Sequence, residues 1–288
     1  MEMKENVSLK PFTVFQVGGP ARFFAETRSK EEVIEALGWA KEKQIPSFIL
    51  GLGSNVLVSD RGFPGLVIKI SGGKVSRDGA LITAEAGAKM AEVVNFSLQN
   101  GLVGFEWAIG VPGTIGGSVR GNAGCFGSEM KDFVAGADVF DANAGRELKL
   151  SNSECRFSYR QSIFKEKPEF VVLGVSLRLK SGGSGEAKER FGEFVKARVQ
   201  SQDIGSKTAG CVFKNPSAEI RAGALVDKAG LKGTSIGGAA VSEKHANFII
   251  NTGAASAEDI VMLIGLIKER VHRKFDVFLE EEIQYVGF

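Results

Sequence analysis

The chain has few of the residues that build metal sites and disulfide frameworks. Its 288 residues include two histidines and three cysteines. The cysteines stand far apart, at Cys125, Cys155 and Cys211, and form neither a Cys-x-x-Cys pair nor an even set. This pattern excludes a disulfide scaffold and argues against a zinc site. We therefore expect no metal, and a reducing compartment, the cytoplasm.

Three further absences exclude other classes of protein. No apolar run approaches the roughly 20 residues that span a bilayer, and the N-terminal Met-Glu-Met-Lys-Glu-Asn lacks the apolar core of a signal peptide. The formal net charge is +2, which favours neither nucleic acid nor an anionic membrane as a partner. The motif Gly-x-x-x-x-Gly-Lys-Ser/Thr does not occur, which excludes a P-loop ATPase. We therefore expect a globular protein with small-molecule ligands.

Glycine, in contrast, occurs 37 times and is most concentrated in residues 104–124, the long glycine loop. A glycine inside a helix or strand costs roughly 0.5–1 kcal/mol, so we expect neither element here. Apolar residues such as Phe105, Trp107 and Ile115 lie between the glycines and argue against a disordered linker. A sharply turning backbone with exposed N–H groups predicts a phosphate-binding loop.

A second cluster, the short glycine loop, covers residues 51–55 and reads Gly-Leu-Gly-Ser-Asn. It is not a dinucleotide fingerprint, because Val56 stands where the third glycine belongs. Alone it is equally consistent with an ordinary turn. The two loops together predict a single ligand that both of them bind. A pyrophosphate with long groups attached at each end fits such a site.

The hydrophobic periodicity predicts an α+β chain. We expect strands at residues 23–27, 47–50, 56–58, 66–70, 81–86, 170–179, 245–251 and 277–286, and a hairpin at 134–150. We expect helices after Ser29 and Ser256, which are N-caps, and at residues 89–100, 186–200 and 222–229. Residues 181–185, Ser-Gly-Gly-Ser-Gly, predict a flexible linker. The sequence predicts three parts: an N-terminal α/β part (1–67), a central part (68–200) and a C-terminal domain (201–288). Pairing of the final strand with an earlier part is left open.

The two loops and four other segments resemble the UDP-N-acetylenolpyruvoylglucosamine reductase (MurB) family. Residues 110–117, Gly-Val-Pro-Gly-Thr-Ile-Gly-Gly, and 121–124, Gly-Asn-Ala-Gly, carry the resemblance together with 51–58. The other matching segments are residues 15–21, 159–164, 209–216 and 279–283. The similarity runs nearly end to end in the same order. Because a short linker and a helix follow residues 170–179 directly, the chain resembles the shorter, second type of the family, which lacks an extra tyrosine-bearing loop.

The resemblance implies an α+β, three-part flavoprotein that binds FAD in the vanillyl-alcohol-oxidase (PCMH-type) manner and has a C-terminal substrate-binding domain. It implies NADPH-dependent reduction of UDP-N-acetylglucosamine enolpyruvate to UDP-N-acetylmuramate, for peptidoglycan synthesis, with hydride passing from flavin N5 to C3 and a proton to C2. The implied FAD-binding residues are Leu50, Gly51, Leu52, Gly53, Ser54, Asn55, Val56, Ile109, Gly110, Val111, Pro112, Gly113, Gly116, Gly117, Ser118, Arg120, Gly121, Asn122 and Gly124.

Hydride addition to an enol ether pushes charge toward the adjacent carboxylate, so the reaction needs a group that stabilises the enolate and a group that protonates it. A guanidinium can fork onto a carboxylate, which suits Arg160. The resemblance implies that Arg160 and Glu282 flank the substrate carboxylate, and it places Cys211 where the family usually has a proton-donating serine. A lone cysteine is more commonly a small buried apolar residue, and this alternative stays open. Candidates for the substrate phosphate and sugar are Tyr159, Lys214 and Asn215.

Two alternative functions remain at this point. One is another FAD-dependent oxidoreductase or oxidase of the same fold, many of which bind flavin covalently through a histidine in a glycine loop. Neither glycine loop here contains histidine, although Cys125 leaves this alternative open. The other is a non-catalytic UDP-sugar or nucleotide-binding protein, which would not need Arg160, Cys211 and Glu282. Yellow protein that bleaches with NADPH would distinguish the enzyme from the binding protein.

Overall fold

The structure, a computed structural model, describes residues 1–288 apart from the side chain of Ser184. It mixes helices and strands along the whole chain, so the predicted α+β class is confirmed. The helices are α1 (Lys30–Glu42), α2 (Met90–Gln99), α3 (Ile115–Arg120), α4 (Ile163–Glu166), α5 (Ser184–Ser201), α6 (Ala222–Lys228) and α7 (Ala257–Phe275). Short 3-10 helices cover Lys10–Phe12, Glu106–Ala108 and Met130–Asp132.

The strands are short and group into separate sheets. They are β1 (Met3–Ser8), β2 (Pro20–Thr27), β3 (Ser47–Leu50), β4 (Val56–Val58), β5 (Phe63–Ile70), β6 (Val75–Asp78), β7 (Leu81–Glu85), β8 (Leu102–Val103), β9 (Gly124–Cys125), β10 (Ser128–Glu129), β11 (Val134–Asp141), β12 (Arg146–Ser151), β13 (Phe170–Arg178), β14 (Lys180–Ser181), β15 (Ser235–Ile236), β16 (Ala239–Val241), β17 (Ile249–Asn251) and β18 (Gln284–Val286). The larger sheets have the orders β1–β2–β5–β3, β12–β11–β13–β7–β6 and β15–β16–β17.

The chain divides into two compact units. The first unit comprises Met1–Met3, Phe24–Gly51 and Gly65–Arg198, and the second comprises Lys4–Phe23, Leu52–Pro64 and Val199–Phe288. The short glycine loop therefore contributes Gly51 to the first unit and its other residues to the second. The three-part division at residues 67 and 200 is a functional one and stays a prediction.

The first unit is built on an antiparallel five-stranded sheet. Its central strand β13 pairs with β11 on one side and β7 on the other, and β11 forms with β12 the predicted hairpin, whose turn has Gly145 at φ +67°. Apolar residues of the long glycine loop enter this core, where the rings of Phe105 and Trp107 pack edge to face with centroids 5.5 Å apart. The loop is therefore anchored by its own side chains, which agrees with the argument against a linker.

The second unit packs around α7, the longest helix among the described elements. The Ser256 side chain accepts a hydrogen bond from the backbone of Asp259, and the Asp259 carboxylate accepts one from the backbone of Ser256, so the predicted N-cap is confirmed as a reciprocal capping box. One face of α7 is apolar and buried, and its residues are Ile260, Leu263, Ile264, Ile267 and Val271. Strand β18 pairs in parallel with β4 in this unit.

Three predicted elements are wrong or too long. The linker at residues 181–185 is wrong, because Ser181 pairs with Leu102 in a two-stranded ladder and α5 begins at Ser184. The strand predicted at residues 245–251 is confirmed only over β17, since Phe248 donates its N–H back to the carbonyl of His245 in a turn. The strand predicted at residues 277–286 is regular only over β18 and otherwise makes one isolated bridge, at Glu281. In the linker the local composition was outweighed by a pairing partner distant in sequence.

No helix in the described part of the chain has both the length and the apolar character needed to cross a bilayer.

Candidate active site

The long glycine loop contains a short helix that the sequence did not predict. Helix α3 begins at the N-cap Thr114 and includes Gly116 and Gly117, so the expectation that glycine excludes a helix here is wrong. The reason is close packing. A Cβ on Gly116 would lie 2.9 Å from the Cβ of Ala86, and the Gly116 N–H donates to the Ala86 carbonyl at 2.9 Å. The glycine is required because the helix lies directly on the end of β7.

The start of the short glycine loop reaches the long one inside the first unit. A Cβ on Gly51 would lie 2.7 Å from the Thr114 hydroxyl, so only glycine fits at residue 51 without displacing Thr114. Three backbone N–H groups of the long loop, those of Gly110, Gly113 and Thr114, donate no hydrogen bond to any described residue. Such N–H groups next to glycines that allow close approach form an anion-binding concavity. The arrangement fits a phosphate of a dinucleotide.

Arg198 at the end of α5 packs on the same loop. A Cβ on Gly110, which has φ +71°, would lie 2.7 Å from the Cδ of Arg198. The guanidinium of Arg198 donates to the sulfur of Cys125 at 2.9 Å, and the Cys125 thiol donates to the Trp107 carbonyl at 3.1 Å. Burial raises the pKa of the Cys125 thiol, and the charge of Arg198 opposes this rise. Cys125 therefore links α5 to the loop rather than serving only as a packing residue.

The second half of the long loop is bonded to the segment that carries Tyr159 and Arg160. Asn122 is fully buried, and its side-chain amide donates to the carbonyl of Ser158 and to the carboxylate of Glu129, both at 2.9 Å. Ser162 donates its hydroxyl proton to the Arg120 carbonyl at 2.7 Å. These bonds place the arginine motif beside the loop. They also engage the side chain of Asn122, so a contact from this residue to a cofactor would come from its backbone.

Arg160 occupies a strained position in a tight turn. Ser158 and Gln161 exchange two backbone hydrogen bonds of 3.1 Å, which leaves Tyr159 and Arg160 as the central residues of the turn. Arg160 has φ +55°, the left-handed region that glycine favours. Its guanidinium donates to the Gly124 carbonyl at 2.9 Å. This conformation costs an arginine about 1–2 kcal/mol relative to the usual backbone conformation, and the hydrogen bonds of the turn hold it in place.

In the second unit, Cys211 and Glu282 are carried by neighbouring segments. The Glu282 N–H donates to the Val212 carbonyl at 2.7 Å, and the Lys214 N–H donates to the Glu280 carbonyl at 2.9 Å. The structure thus brings together the segments that carry the predicted proton donor and the predicted glutamate, which are about 70 residues apart in sequence. The neighbouring Glu281 carboxylate pairs with Lys268 at 2.8 Å.

The short glycine loop joins this pair of segments. The side-chain amide of Asn55 donates to the Glu282 carbonyl at 3.1 Å, and the Gln284 N–H donates to the Asn55 carbonyl at 3.0 Å. Gly53 has φ +64°, and a Cβ there would overlap the Phe12 carbonyl oxygen. Residues 52–56 therefore lie beside Glu282 within the second unit.

Two of the candidate substrate residues have partners inside the second unit. The Lys214 ammonium forms an ion pair with Glu280, which is exposed. The Asn215 side chain accepts the backbone N–H of Ala222 at 3.1 Å, at the start of α6. Tyr159, in the first unit, is partly exposed, and the guanidinium carbon of Arg160 lies 5.1 Å from its ring centroid. Tyr159 thus exposes part of its ring to solvent, whereas the Lys214 side chain is 20% exposed and its charge is paired with Glu280.

The sequence did not single out Thr114, Arg198 or Asn247. Thr114 had a recognisable signal, because a threonine that precedes a helical turn is a preferred N-cap. Arg198 lies in a charged helix, and Asn247 in a segment predicted to be a strand. For those two residues the signal exists only in three dimensions, in the contacts to Cys125 and to residues 212–213.

Cys155 is the thiol for which the structure makes the most direct chemical prediction. It is fully buried in the core of the first unit, and burial raises its pKa to about 11. Because the thiolate is the reactive form, we expect Cys155 to resist a thiol reagent such as DTNB in the native protein and to react after unfolding. Peptide mapping after labelling, in the native state and in urea, measures this. Rapid native labelling of Cys155 would contradict the buried placement.

Two family models match the chain. The one described as UDP-N-acetylenolpyruvoylglucosamine reductase, C-terminal domain, matches residues 197–286, and the one described as FAD binding domain matches residues 21–151. The region that matches the FAD binding domain contains both glycine loops. The region that matches the C-terminal domain contains Cys211, Lys214, Asn215 and Glu282.

Similar proteins carry the same description over nearly their full lengths. A UDP-N-acetylenolpyruvoylglucosamine reductase of Caldanaerobacter subterraneus subsp. tengcongensis is 45% identical over 98% of this chain and 93% of its own length. The reductase of Caldicellulosiruptor bescii is 42% identical over 100% of this chain and 91% of its own. The crystal structure of the reductase from Thermus caldophilus matches with a TM-score of 0.85 and 35% identity, and the match covers 99% of this chain and 100% of that one.

Proposed function

The chain belongs to the UDP-N-acetylenolpyruvoylglucosamine reductase family, and from this premise we propose how its own residues divide the work of the reaction. The enzyme reduces UDP-N-acetylglucosamine enolpyruvate to UDP-N-acetylmuramate, a step of peptidoglycan precursor synthesis, and uses FAD and NADPH. The observation that carries the assignment is the end-to-end similarity to these reductases together with the two glycine loops. The cytoplasm is the proposed location, because NADPH and UDP-sugars are found there.

FAD is held, in this proposal, by the backbone of both glycine loops. When bound, FAD would supply hydride-transfer chemistry between NADPH and the substrate. Residues 51–55 and 110–117 would bind the pyrophosphate through N–H groups, and the open surface at Gly117 leaves room for its close approach. The supporting observations are the Gly51–Thr114 packing and the N–H groups of Gly110, Gly113 and Thr114. We propose that the remaining candidates for FAD binding, from Leu50 to Gly124, also contact the cofactor.

Arg160 binds the carboxylate of the substrate. When C3 becomes bonded to hydrogen, negative charge moves onto that carboxylate, and a guanidinium already in place stabilises it without reorganisation. A planar fork of donors also holds the carboxylate in one orientation. The contact of the Arg160 guanidinium with the Gly124 carbonyl supports this role, because it places the side chain at the end of the long glycine loop.

Cys211 donates the proton to C2. Its S–H bond breaks as the new C–H bond forms, and solvent reprotonates the resulting thiolate. Glu282 is the second group at the substrate carboxylate in this proposal, and its backbone N–H bond to the Val212 carbonyl joins its segment to the cysteine segment. Lys214, Asn215 and Tyr159 bind the phosphates and sugar. Residues 201–288 are accordingly the proposed substrate-binding domain, and residues 1–67 and 68–200 are the proposed parts of the FAD-binding region.

The overall proposal is tested with the purified protein. It should be yellow, its absorbance near 450 nm should bleach on anaerobic addition of NADPH, and the colour should return when the enolpyruvyl UDP-sugar is added. The product should gain two hydrogens by mass. Colourless protein that releases no flavin on denaturation would favour a non-catalytic binding protein. Reoxidation by oxygen alone, with no effect of the UDP-sugar, would favour an oxidase.

Substitution Arg160→Lys tests the carboxylate fork. Lysine keeps the charge but cannot make two parallel hydrogen bonds, so we expect kcat/KM for the UDP-sugar to fall about 10- to 100-fold, the effect of one lost charge-assisted bond. Reduction of the flavin by NADPH should stay unchanged. The matched control is Arg156→Lys, since Arg156 also has positive φ (+48°) but pairs with Glu166 on the surface. Equal losses in both variants would indicate a backbone effect and contradict the role of Arg160.

A further inference from the structure

The segment that carries Cys211 is not part of a regular sheet. Residues 211–214 make only isolated bridges, Cys211 with Phe248 and Phe213 with Glu281. Two isolated bridges leave a backbone less constrained than a continuous ladder does. A general acid must nevertheless be held within hydrogen-bond reach of the atom it protonates. The structure therefore has to supply the constraint in another way.

Asn247 supplies this constraint through three hydrogen bonds to the successive residues Val212 and Phe213. Its backbone carbonyl accepts the Val212 N–H at 2.8 Å, and its side-chain oxygen accepts the Phe213 N–H at 3.0 Å. Its side-chain NH₂ donates to the Phe213 carbonyl at 2.8 Å. The primary amide thus pairs with Phe213 as the backbone of a neighbouring strand would. Asn247 is only 3% exposed, so water does not compete for these bonds.

The residue that Asn247 holds also connects the two predicted catalytic groups. Val212 follows Cys211 directly, and the Val212 carbonyl accepts the N–H of Glu282 at 2.7 Å. Asn247 therefore fixes the backbone between the thiol-bearing residue and the segment of the glutamate. Its own side chain faces Phe213 and is fully engaged there, so it acts through the backbone and not on the substrate.

We propose that Asn247 is a positioning residue for the proton transfer: its side-chain amide pairs with Phe213 and thereby fixes the segment in which the Cys211 thiol is directed at C2. This inference rests on the proposed role of Cys211 as the proton donor. Asn247 should therefore affect the half-reaction in which the enolpyruvyl UDP-sugar reoxidises the flavin. Flavin reduction by NADPH does not use the thiol and should not depend on Asn247.

The matched control is Asn251, another asparagine buried in the second unit, at 4% exposure. Its side chain donates to the Phe15 carbonyl at 2.8 Å and accepts the N–H groups of Gly253 and Ala255 at 2.8 and 3.1 Å. Asn247→Ala and Asn251→Ala thus remove similar sets of bonds from similar surroundings. Only the first set touches the Cys211 segment.

The experiment is stopped-flow absorbance of the FAD-loaded protein in each half-reaction. In Asn247→Ala we expect reoxidation by the enolpyruvyl UDP-sugar to slow about 10- to 100-fold, the usual effect of a displaced catalytic group. Reduction by NADPH should proceed at the parent rate. Asn251→Ala should keep both rates, although urea unfolding should show both variants to be destabilised. Asn247→Asp keeps the acceptor for the Phe213 N–H and should slow reoxidation less than Asn247→Ala does. This variant replaces Asn247→Ala in the experiment if the alanine variant does not fold.

A double variant separates this inference from the proposed function. In a Cys211→Ala background, Asn247→Ala should slow reoxidation little further, because the group it positions is gone. A full additional loss would overturn the inference, as would parent-rate reoxidation in the single Asn247 variants. If Cys211→Ala itself reoxidises at the parent rate, the role of Cys211 fails, and the inference fails with it.

Discussion

Replacing Cys211 by alanine should leave reduction of the flavin by NADPH near normal and slow its reoxidation by the enolpyruvyl UDP-sugar by about 10²-fold or more, the usual range for lost general-acid catalysis. A protonated thiol can act as the general acid that delivers the proton to C2. It is also a stronger acid than the serine hydroxyl that stands at this position in the family. Stopped-flow absorbance of the two half-reactions measures the effect separately.

Cys211→Ser is the informative companion variant. A serine hydroxyl retains a transferable proton at nearly the same place, so much of the reoxidation rate should return. Cys155→Ala provides a control for loss of a thiol elsewhere, since Cys155 is buried in the core of the first unit. If Cys211→Ala reoxidises at the parent rate, the thiol only packs, and another group or water delivers the proton.

The second large effect is expected at Gly117, where a valine should remove FAD from the protein without unfolding it. Gly117 is exposed in α3, and a Cβ there meets only the Thr114 hydroxyl, at an ordinary 3.5 Å. The polypeptide itself therefore tolerates a side chain, which would instead occupy the space where we propose the pyrophosphate lies. Losing about two charge-assisted hydrogen bonds would weaken FAD binding on the order of 10²-fold. Flavin absorbance after desalting, together with the unfolding midpoint of the apoprotein, measures both parts.

Two other glycines control this experiment. Gly38 in α1 is exposed, and a Cβ at this residue would have no other atom within 4 Å, so Gly38→Val should keep the flavin. Gly116→Val should fail in a different way, by destabilising the protein, because its Cβ would lie 2.9 Å from Ala86. Full flavin occupancy in Gly117→Val would contradict the placement of the pyrophosphate against this loop.

Local sequence patterns predicted the elements that depend on near neighbours. Ser29 and Ser256 were recognised as N-caps because a capping side chain bonds to a backbone N–H three residues away. The apolar face of α7 and the hairpin turn at Gly145 follow from helical spacing and from turn chemistry in the same way. The motif segments likewise identified the family, since each carries its chemistry in consecutive residues.

Contacts between residues distant in sequence determined the features that local patterns did not predict. Gly116 and Gly117 look alike in the sequence, yet one is required by packing on Ala86 and the other leaves an open surface. The linker expected at residues 181–185 is absent because Ser181 finds a partner strand at Leu102.

The candidate site shows the same division. Sequence alone determined which residue types are present, a guanidinium at Arg160, a thiol at Cys211 and a carboxylate at Glu282, because chemistry is a property of single residues. Only the tertiary structure decided that Arg160 sits in a left-handed turn and that Asn247 holds the Cys211 segment. The physical reason is that a backbone conformation and a buried hydrogen bond depend on groups that the chain brings together only when it folds.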